Sequence, residues 1–173
     1  MTDSKPSRRS TYDRALDMLE ARSRAVTELR RLLIKKGEPP DDVDAAIERL
    51  RAAGVLDDAN FARQLTRSKA VGGGHSRRRI QQELAKRGVA RDVSDDAIEE
   101  VFEDEGVDES ETIERAARKK LRTLAGLDTA TRKRRLYGFL ARRGYNSDAI
   151  ARVLRLVLER NDDESDQMSD ETS

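Results

Sequence analysis

Basic residues cluster in the chain, and four of the clusters stand out as places that could hold anions. They form two runs, residues 77–79 and 132–135, and two pairs, residues 86–87 and 142–143. Lys and Arg side chains bind carboxylates and phosphates through charge-assisted hydrogen bonds. We therefore predict a partner-facing or DNA-facing set, with a merely solvated basic face as the alternative, made up of Arg77, Arg78, Arg79, Lys86, Arg87, Arg132, Lys133, Arg134, Arg135, Arg142 and Arg143.

The net charge of +1 conceals a strong segregation of charge along the chain. Residues 62–91 carry 9 basic and 1 acidic side chains, residues 92–114 carry 12 acidic and no basic ones, and residues 115–160 carry 14 basic and 3 acidic ones. Segregation of this kind predicts a partner with both signs of charge on its surface, or polyanion contacts confined to part of the protein.

Catalytic and cofactor chemistry finds little support in the sequence. The chain has no Cys, and His75 is its only imidazole. The glycine run at residues 72–74 is not followed by Gly-Lys-Ser/Thr, so it predicts a connector or hinge and not a phosphate-binding loop. The carboxylates occur in helix-surface runs beside basic residues. We predict a protein that is not an enzyme, with no cofactor and no metal site.

Three glycines, Gly37, Gly88 and Gly144, mark a repeated pattern. Leu or Ile precedes each glycine by eight residues and Leu precedes it by four, and two basic residues stand directly before it. Cations oppose the negative end of a helix dipole, and glycine readily adopts the left-handed conformation that ends a helix. Each glycine is therefore predicted to end one amphipathic helix and to begin the turn into a second.

Further helices are predicted around these hairpins: one before Gly37 near Tyr12, and one after each of the first two hairpins, near Phe61 and Ile113. No stretch alternates apolar and polar residues, so no sheet is expected. The predicted fold is all-α, with three tandem three-helix repeats in an elongated, curved molecule. The predicted divisions are a disordered segment 1–10, a leading helix and first repeat 11–71, a second repeat 72–126 after the glycine connector, a third repeat 127–160 and a disordered acidic tail 161–173.

The environment of the protein is predicted from what the sequence lacks. Without cysteine it needs no oxidising compartment, and no apolar run suits a signal peptide or a membrane span. We expect a cytoplasmic protein with no membrane association. No apolar stripe is wide enough to demand a permanent dimer, so we expect a monomer.

In four segments the chain resembles the RecX regulatory proteins of bacteria. The segments are SRAVTEL at 23–29 leading to Lys36-Gly37, GVLDDANFA at 54–62, RIQQELAKRGV at 79–89 and KRRLYGFLARRGY at 133–145. The resemblance extends from Tyr12 to Leu158. Two features depart from the family pattern: Gln64 and Leu65 stand where a Tyr often follows the Phe-Ala pair, and the acidic run at 92–114 is unusually dense.

The resemblance implies a function in DNA repair, homologous recombination and the SOS response. RecX proteins bind the recombinase RecA and its filament on single-stranded DNA, and lower its ATPase and strand-exchange activities. The basic clusters also allow a weak direct contact with DNA. Two alternatives remain at this point, a helix-turn-helix DNA-binding protein and a generic helical-repeat interaction module, although acidic second helices disfavour the first.

Overall fold

The computed structural model describes the backbone of residues 9–170 and the side chains of residues 9–158. All regular structure in this part of the chain is helical, which confirms the predicted fold class. A π-helical turn, Ser68–Gly72, follows the fourth helix. The α-helices are α1 (Thr11–Ala21), α2 (Val26–Lys35), α3 (Pro40–Ala52), α4 (Asp58–Arg67), α5 (Arg77–Arg87), α6 (Arg91–Asp104), α7 (Glu109–Arg122), α8 (Thr129–Arg142) and α9 (Ser147–Asp170).

The helices pack in consecutive groups of three, which we call the first unit (α1–α3), the second unit (α4–α6) and the third unit (α7–α9). Each unit encloses its own apolar core, because each helix contributes one stripe of apolar side chains. Fully buried leucines and isoleucines at the predicted positions anchor these cores: Leu29 and Leu33, Ile80 and Leu84, and Leu136 and Leu140.

This grouping differs from the predicted boundaries at 71 and 126. The helix of Phe61 packs on α6 and shares its core with Ile98 and Phe102, so it opens the second unit and does not close the first. Likewise the helix of Ile113 packs in the third unit with Leu136 and Ile150. Every unit therefore has the order seen in the first one, a leading helix followed by a helical hairpin. In each unit the hairpin buries its apolar stripe against the helix that precedes it.

The predicted glycine turns are confirmed. Gly37, Gly88 and Gly144 follow α2, α5 and α8 directly or one residue later, with φ of 89°, 82° and 91°. In each case the next residues turn the chain into α3, α6 or α9, so the hairpins of all three units are built alike.

Both ends of the chain are predicted from the sequence to be disordered, and the structure describes part of each. Residues 1–8 of the predicted N-terminal segment lie outside the described residues, while Ser10 caps α1 by accepting a hydrogen bond from the Asp13 N–H at 3.1 Å. The tail predicted from residue 161 instead continues α9 to Asp170. No Gly or Pro interrupts this stretch, so nothing in the backbone ends the helix earlier. Residues 171–173 lie outside the described residues.

Candidate partner-binding surface

The first and second units meet where the Gly88 turn lies against the start of α2. The Thr27 hydroxyl donates to the Gly88 carbonyl at 3.1 Å, and the Val26 N–H donates to Asp58 at 2.8 Å. Arg87 extends across this junction to Glu28 at 3.2 Å. Glu28 also pairs with Arg22 and Arg24. The Glu28 carboxylate thus forms ion pairs with three guanidinium groups, and the one with Arg87 joins the two units.

The second and third units meet in the same way, because the Gly144 turn lies against the start of α5. The Ser76 N–H donates to the Arg143 carbonyl at 3.0 Å, and the Arg78 Nε donates to the Gly144 carbonyl at 3.1 Å. The Tyr145 hydroxyl donates to the Gly74 carbonyl at 3.1 Å. The glycine turn of each following unit therefore covers a helix start of the preceding one.

Several predicted partner-facing arginines are used inside this second junction. The Arg77 guanidinium lies 4.1 Å from the centre of the Phe102 ring, and its backbone N–H donates to Glu109 at 2.9 Å. Arg143 donates to the Gly73 carbonyl at 2.9 Å and covers the Phe139 ring at 3.8 Å. Arg79 is half-buried beside Gly144. The side chains of Arg78 and Arg143 bond across this junction, and at the first junction Arg87 does so.

Arg77 and Arg78 still reach solvent, as does most of the rest of the predicted set. Arg132 is half-buried and lies 3.4 Å from the Thr129 hydroxyl. Among the described side chains no carboxylate pairs with the exposed members, which are Arg77, Arg78, Lys86, Lys133, Arg134, Arg135 and Arg142. Three of these follow one another on α8, so this helix carries the densest exposed positive charge among the predicted residues.

Residues 132–135 precede Gly144 by the same distance as residues 76–79 precede Gly88, which predicts that they too begin their helix, as residues 77–79 begin α5. The structure corrects this, because α8 begins one turn earlier, at Thr129, with Asp128 as its N-cap. The Asp128 side chain accepts a hydrogen bond from the Thr131 N–H at 2.9 Å. This bond and the helix N-terminus lower the pKa of Asp128. Twelve residues before the glycine, Arg132 thus replaces the small Ala25 and Ser76 of the other units.

The opposite charge is concentrated on α6 of the second unit. Glu105, directly after the helix, pairs with Arg67. Two acids of α6 itself form ion pairs, Glu100 with Arg63 and Asp95 with Arg91. The others are exposed without a basic partner among the described side chains, and are Asp92, Asp96, Glu99, Glu103 and Asp104. The protein therefore presents an acidic helix in one unit and a basic helix in the next.

Both junctions contain a concave space lined by cations. A groove of about 970 Å³ separates α1 and α2 from α5, and a cleft of about 330 Å³ separates the glycine turn at 72–74 from α7 and α8. Sequence reasoning missed the cations that line them, which are Arg22, Arg24, Arg31, Lys36 and Lys69 in the groove and Arg115, Lys119 and Lys120 in the cleft. The spacing of Arg115 and Lys119 on one helical face was the available signal.

His75, the single imidazole, lies beside Gly73 in the glycine turn. It is half-buried, and its Nδ1 has no hydrogen-bond partner among the described residues. Burial, and then the positive charges of Arg143 and Lys69, lower the pKa of His75 below its usual 6.5. The neutral imidazole is therefore the favoured form at neutral pH.

Neither a metal-binding cluster nor a membrane-spanning helix is found among the described residues. Within the described ranges, no cluster of three or more His, Asp and Glu side chains is arranged to hold a metal ion. No helix in the part of the chain that the structure describes combines the length and apolar character needed to cross a bilayer.

Tandem three-helix units with repeated glycine turns place the chain among the helical-repeat proteins. Family models match each unit in turn: "RecX, first three-helix domain" at residues 12–50, the second such domain at 57–98 and the third at 108–154. Each matched range begins within one residue of one unit and ends inside the last helix of that unit. The chain belongs to the RecX family, as its sequence segments indicate.

Individual relatives agree with this assignment. The chain is 36% identical to "Regulatory protein RecX" of Pelodictyon phaeoclathratiforme, over 91% of this chain and 94% of that protein. It is 40% identical to the protein of the same description in Mycobacterium avium, over 80% of this chain and 79% of that one. The crystal structure of RecX from Lactobacillus salivarius shares the fold, with a TM-score of 0.64 and 19% identity over 85% of this chain and 94% of that one.

Proposed function

We propose that this protein binds RecA and its filament on single-stranded DNA in the cytoplasm, and lowers RecA ATPase and strand-exchange activity during DNA repair and the SOS response. Family membership supports a regulatory function, since the relatives are described as regulatory proteins. A non-enzymatic mode of action agrees with the absence of a nucleophile–base pair in the sequence.

The observation that carries the proposal is the placement of opposite charges on successive units. The exposed acids of α6 and the exposed cations Lys133, Arg134 and Arg135 of α8 belong to units fastened together at a hydrogen-bonded junction. A repeating filament presents the same surface on each subunit, so two differently charged units can engage two neighbouring subunits. A bridge of this kind would resist the subunit movements that accompany ATP turnover.

A helix-turn-helix mode of DNA reading fits the surface poorly. In that motif the helix after the turn enters the major groove. Here the corresponding helices are α3, with Asp41, Asp42 and Asp44 exposed, and α6, with its exposed acids. Phosphates would repel both helices, so only the third unit is left to approach a duplex.

The test is a titration of this protein into DNA-dependent ATP hydrolysis by the matching RecA at fixed salt, alongside its binding to DNA alone. The expected result is a substoichiometric fall in ATP hydrolysis together with weak, sequence-independent binding to bare DNA. Unchanged hydrolysis combined with tight, sequence-dependent binding to duplex DNA would overturn the proposal in favour of a DNA reader. Unchanged hydrolysis with neither kind of binding would point to a helical-repeat module for another protein.

A further inference from the structure

The cleft between the second and third units is lined by cations alone among its charged residues. Its volume is about 330 Å³, and the described residues around it include Arg115, Lys119, Lys120 and Arg143 but no Asp or Glu. The turn at residues 72–74 forms one wall, where glycines leave the entrance free of side chains; a Cβ on Gly72 would meet nothing within 4 Å. Four positive charges therefore surround one small, accessible space.

The groove between the first and second units provides the contrast. That groove also contains cations, but it has three carboxylates, each of which is already paired: Asp17 with Arg9, Glu28 with Arg22, Arg24 and Arg87, and Glu83 with Lys69 and Arg87. It satisfies much of its charge internally. The cations of the cleft have no carboxylate among them, so they repel one another. A bound anion would relieve this repulsion.

Two of the cleft cations, Arg115 and Lys119, have hydrogen-bond donors and charges that are available to a ligand. Arg115 has only a long contact, 3.4 Å, with the Thr112 hydroxyl, and no ion pair with a described carboxylate. Lys119 is exposed and likewise has no such ion pair. By contrast, Arg118 on the same helix is paired with Glu114. The unpaired cations of α7 are thus those that line the cleft, together with Arg122 beyond it.

We propose that this cleft is a phosphate-binding site, which takes the phosphate group of a free nucleotide or of a nucleic-acid strand. The guanidinium of Arg115 offers paired donors to two phosphate oxygens, and Lys119 and Lys120 supply point charges. Four cations exceed what a single carboxylate requires, whereas a phosphate carries more charge and more acceptor oxygens. Val71 and Ala116 form an apolar wall beside the cations, against which the sugar of a nucleotide can pack.

The surroundings of Phe139 predict whether the cleft distinguishes one base from another. Arg143 lies 3.8 Å from the centre of this ring and Lys120 lies 5.7 Å from it, so cations already cover the aromatic ring. A base cannot stack on a ring that is covered in this way. The cleft therefore recognises phosphate without preference for a base.

The experiment uses the full chain without RecA, so that its outcome does not depend on the proposed function. Binding of pyrophosphate, of oligothymidylate and of oligoadenylate is measured by calorimetry at low salt for the wild type and for Arg115→Gln, Lys119→Gln and the double variant. Arg122→Gln is the matched control, because Arg122 is an exposed cation of α7 that does not line the cleft. Far-ultraviolet circular dichroism and urea unfolding confirm that each variant is folded.

The double variant is expected to weaken the binding of at least one probe by about tenfold or more, while Arg122→Gln stays within about twofold. An effect on pyrophosphate assigns the site to free nucleotides. An effect confined to the oligonucleotides, equal for both bases, assigns it to a nucleic-acid strand. The proposal is overturned if no probe binds, or if the cleft variants and the Arg122 control weaken binding equally.

Discussion

Gly144 lies so close to Ser76 that a Cβ built on the glycine would stand 2.5 Å from the Ser76 Oγ. The same Cβ would stand 2.6 Å from the Arg79 Cβ. The equivalent glycine of the second unit, Gly88, makes the equivalent approach, since its Cβ would lie 2.5 Å from the Thr27 Cβ. Each repeated glycine after the first thus has two functions: it ends a helix, and it allows two units to touch.

The first prediction separates these two functions. Gly144→Ala is expected to lower the free energy of unfolding by about 2–4 kcal/mol, because a left-handed alanine is strained and its methyl group overlaps α5. Gly37→Ala is the matched control: its φ is similar, 89° against 91°, but its Cβ would meet nothing within 4 Å. The control is expected to cost about 1 kcal/mol in urea unfolding. Equal losses in the two variants would show that the close approach is not needed for stability.

The second prediction concerns the ion pair between Glu28 and Arg87, which joins the first and second units. A double-mutant cycle with Glu28→Gln and Arg87→Gln is expected to give a coupling free energy of about 0.5–1.5 kcal/mol, since both side chains are largely shielded from water. The exposed pair Glu48 and Arg51, within α3, serves as control and is expected to show weak coupling that added salt removes. A Glu28–Arg87 coupling no larger than the control would contradict this.

The third prediction follows from the single imidazole. The lowered pKa of His75 means that the unfolded chain, with a pKa near 6.5, binds a proton more readily than the folded protein does. The free energy of unfolding therefore falls as the pH drops below about 6.5 toward the folded-state pKa. His75→Gln is expected to remove this part of the pH dependence in urea unfolding between about pH 7 and pH 5. A nuclear magnetic resonance titration of His75 with a pKa at or above 6.5 would contradict the cause.

The fourth prediction concerns the exposed cations of α8. A triple variant, Lys133→Gln, Arg134→Gln and Arg135→Gln, is expected to raise the concentration needed for half-inhibition of RecA ATPase by about tenfold, because charge complementarity governs encounter and orientation. Stability should change little, since none of these side chains pairs with a described carboxylate. A control triple in the first unit, Arg30→Gln, Lys35→Gln and Arg51→Gln, removes the same charge elsewhere. Equal loss of inhibition in both variants would favour a general charge effect over a contact by α8.

Local features of this fold are predictable from the sequence because they depend on local physics. The periodicity of residues such as Leu29 and Leu33 identifies the buried face, and Gly37, Gly88 and Gly144 identify the helix ends. The membership of α4 and α7 in their units is not predictable in this way. Each stands between two hairpins, and the pairing depends on side-chain packing at a distance along the chain, as with Phe61 and Ile98.

The basic clusters show the same limit for the candidate site. Charge and helical position give Arg78 and Arg134 the same expected role, because both stand ten residues before a repeated glycine. Both side chains are exposed in the structure, but Arg78 donates to the Gly144 carbonyl, whereas Arg134 has no hydrogen bond or ion pair with a described residue. The difference arises because the third unit packs on the start of α5, whereas no unit of the structure packs on the start of α8. Sequence position alone does not show which cations form hydrogen bonds in such a contact.

The earlier start of α8 limits how the array can grow. A glycine turn docks on a helix start where a small residue, Ala25 or Ser76, leaves room, but in the third unit the added turn from Thr129 and the larger Arg132 occupy that place. Another copy of the motif grafted beyond α9 would thus find no receiving surface. An inserted unit whose middle helix starts at a small residue would keep this docking contact, so the geometry favours lengthening between existing units.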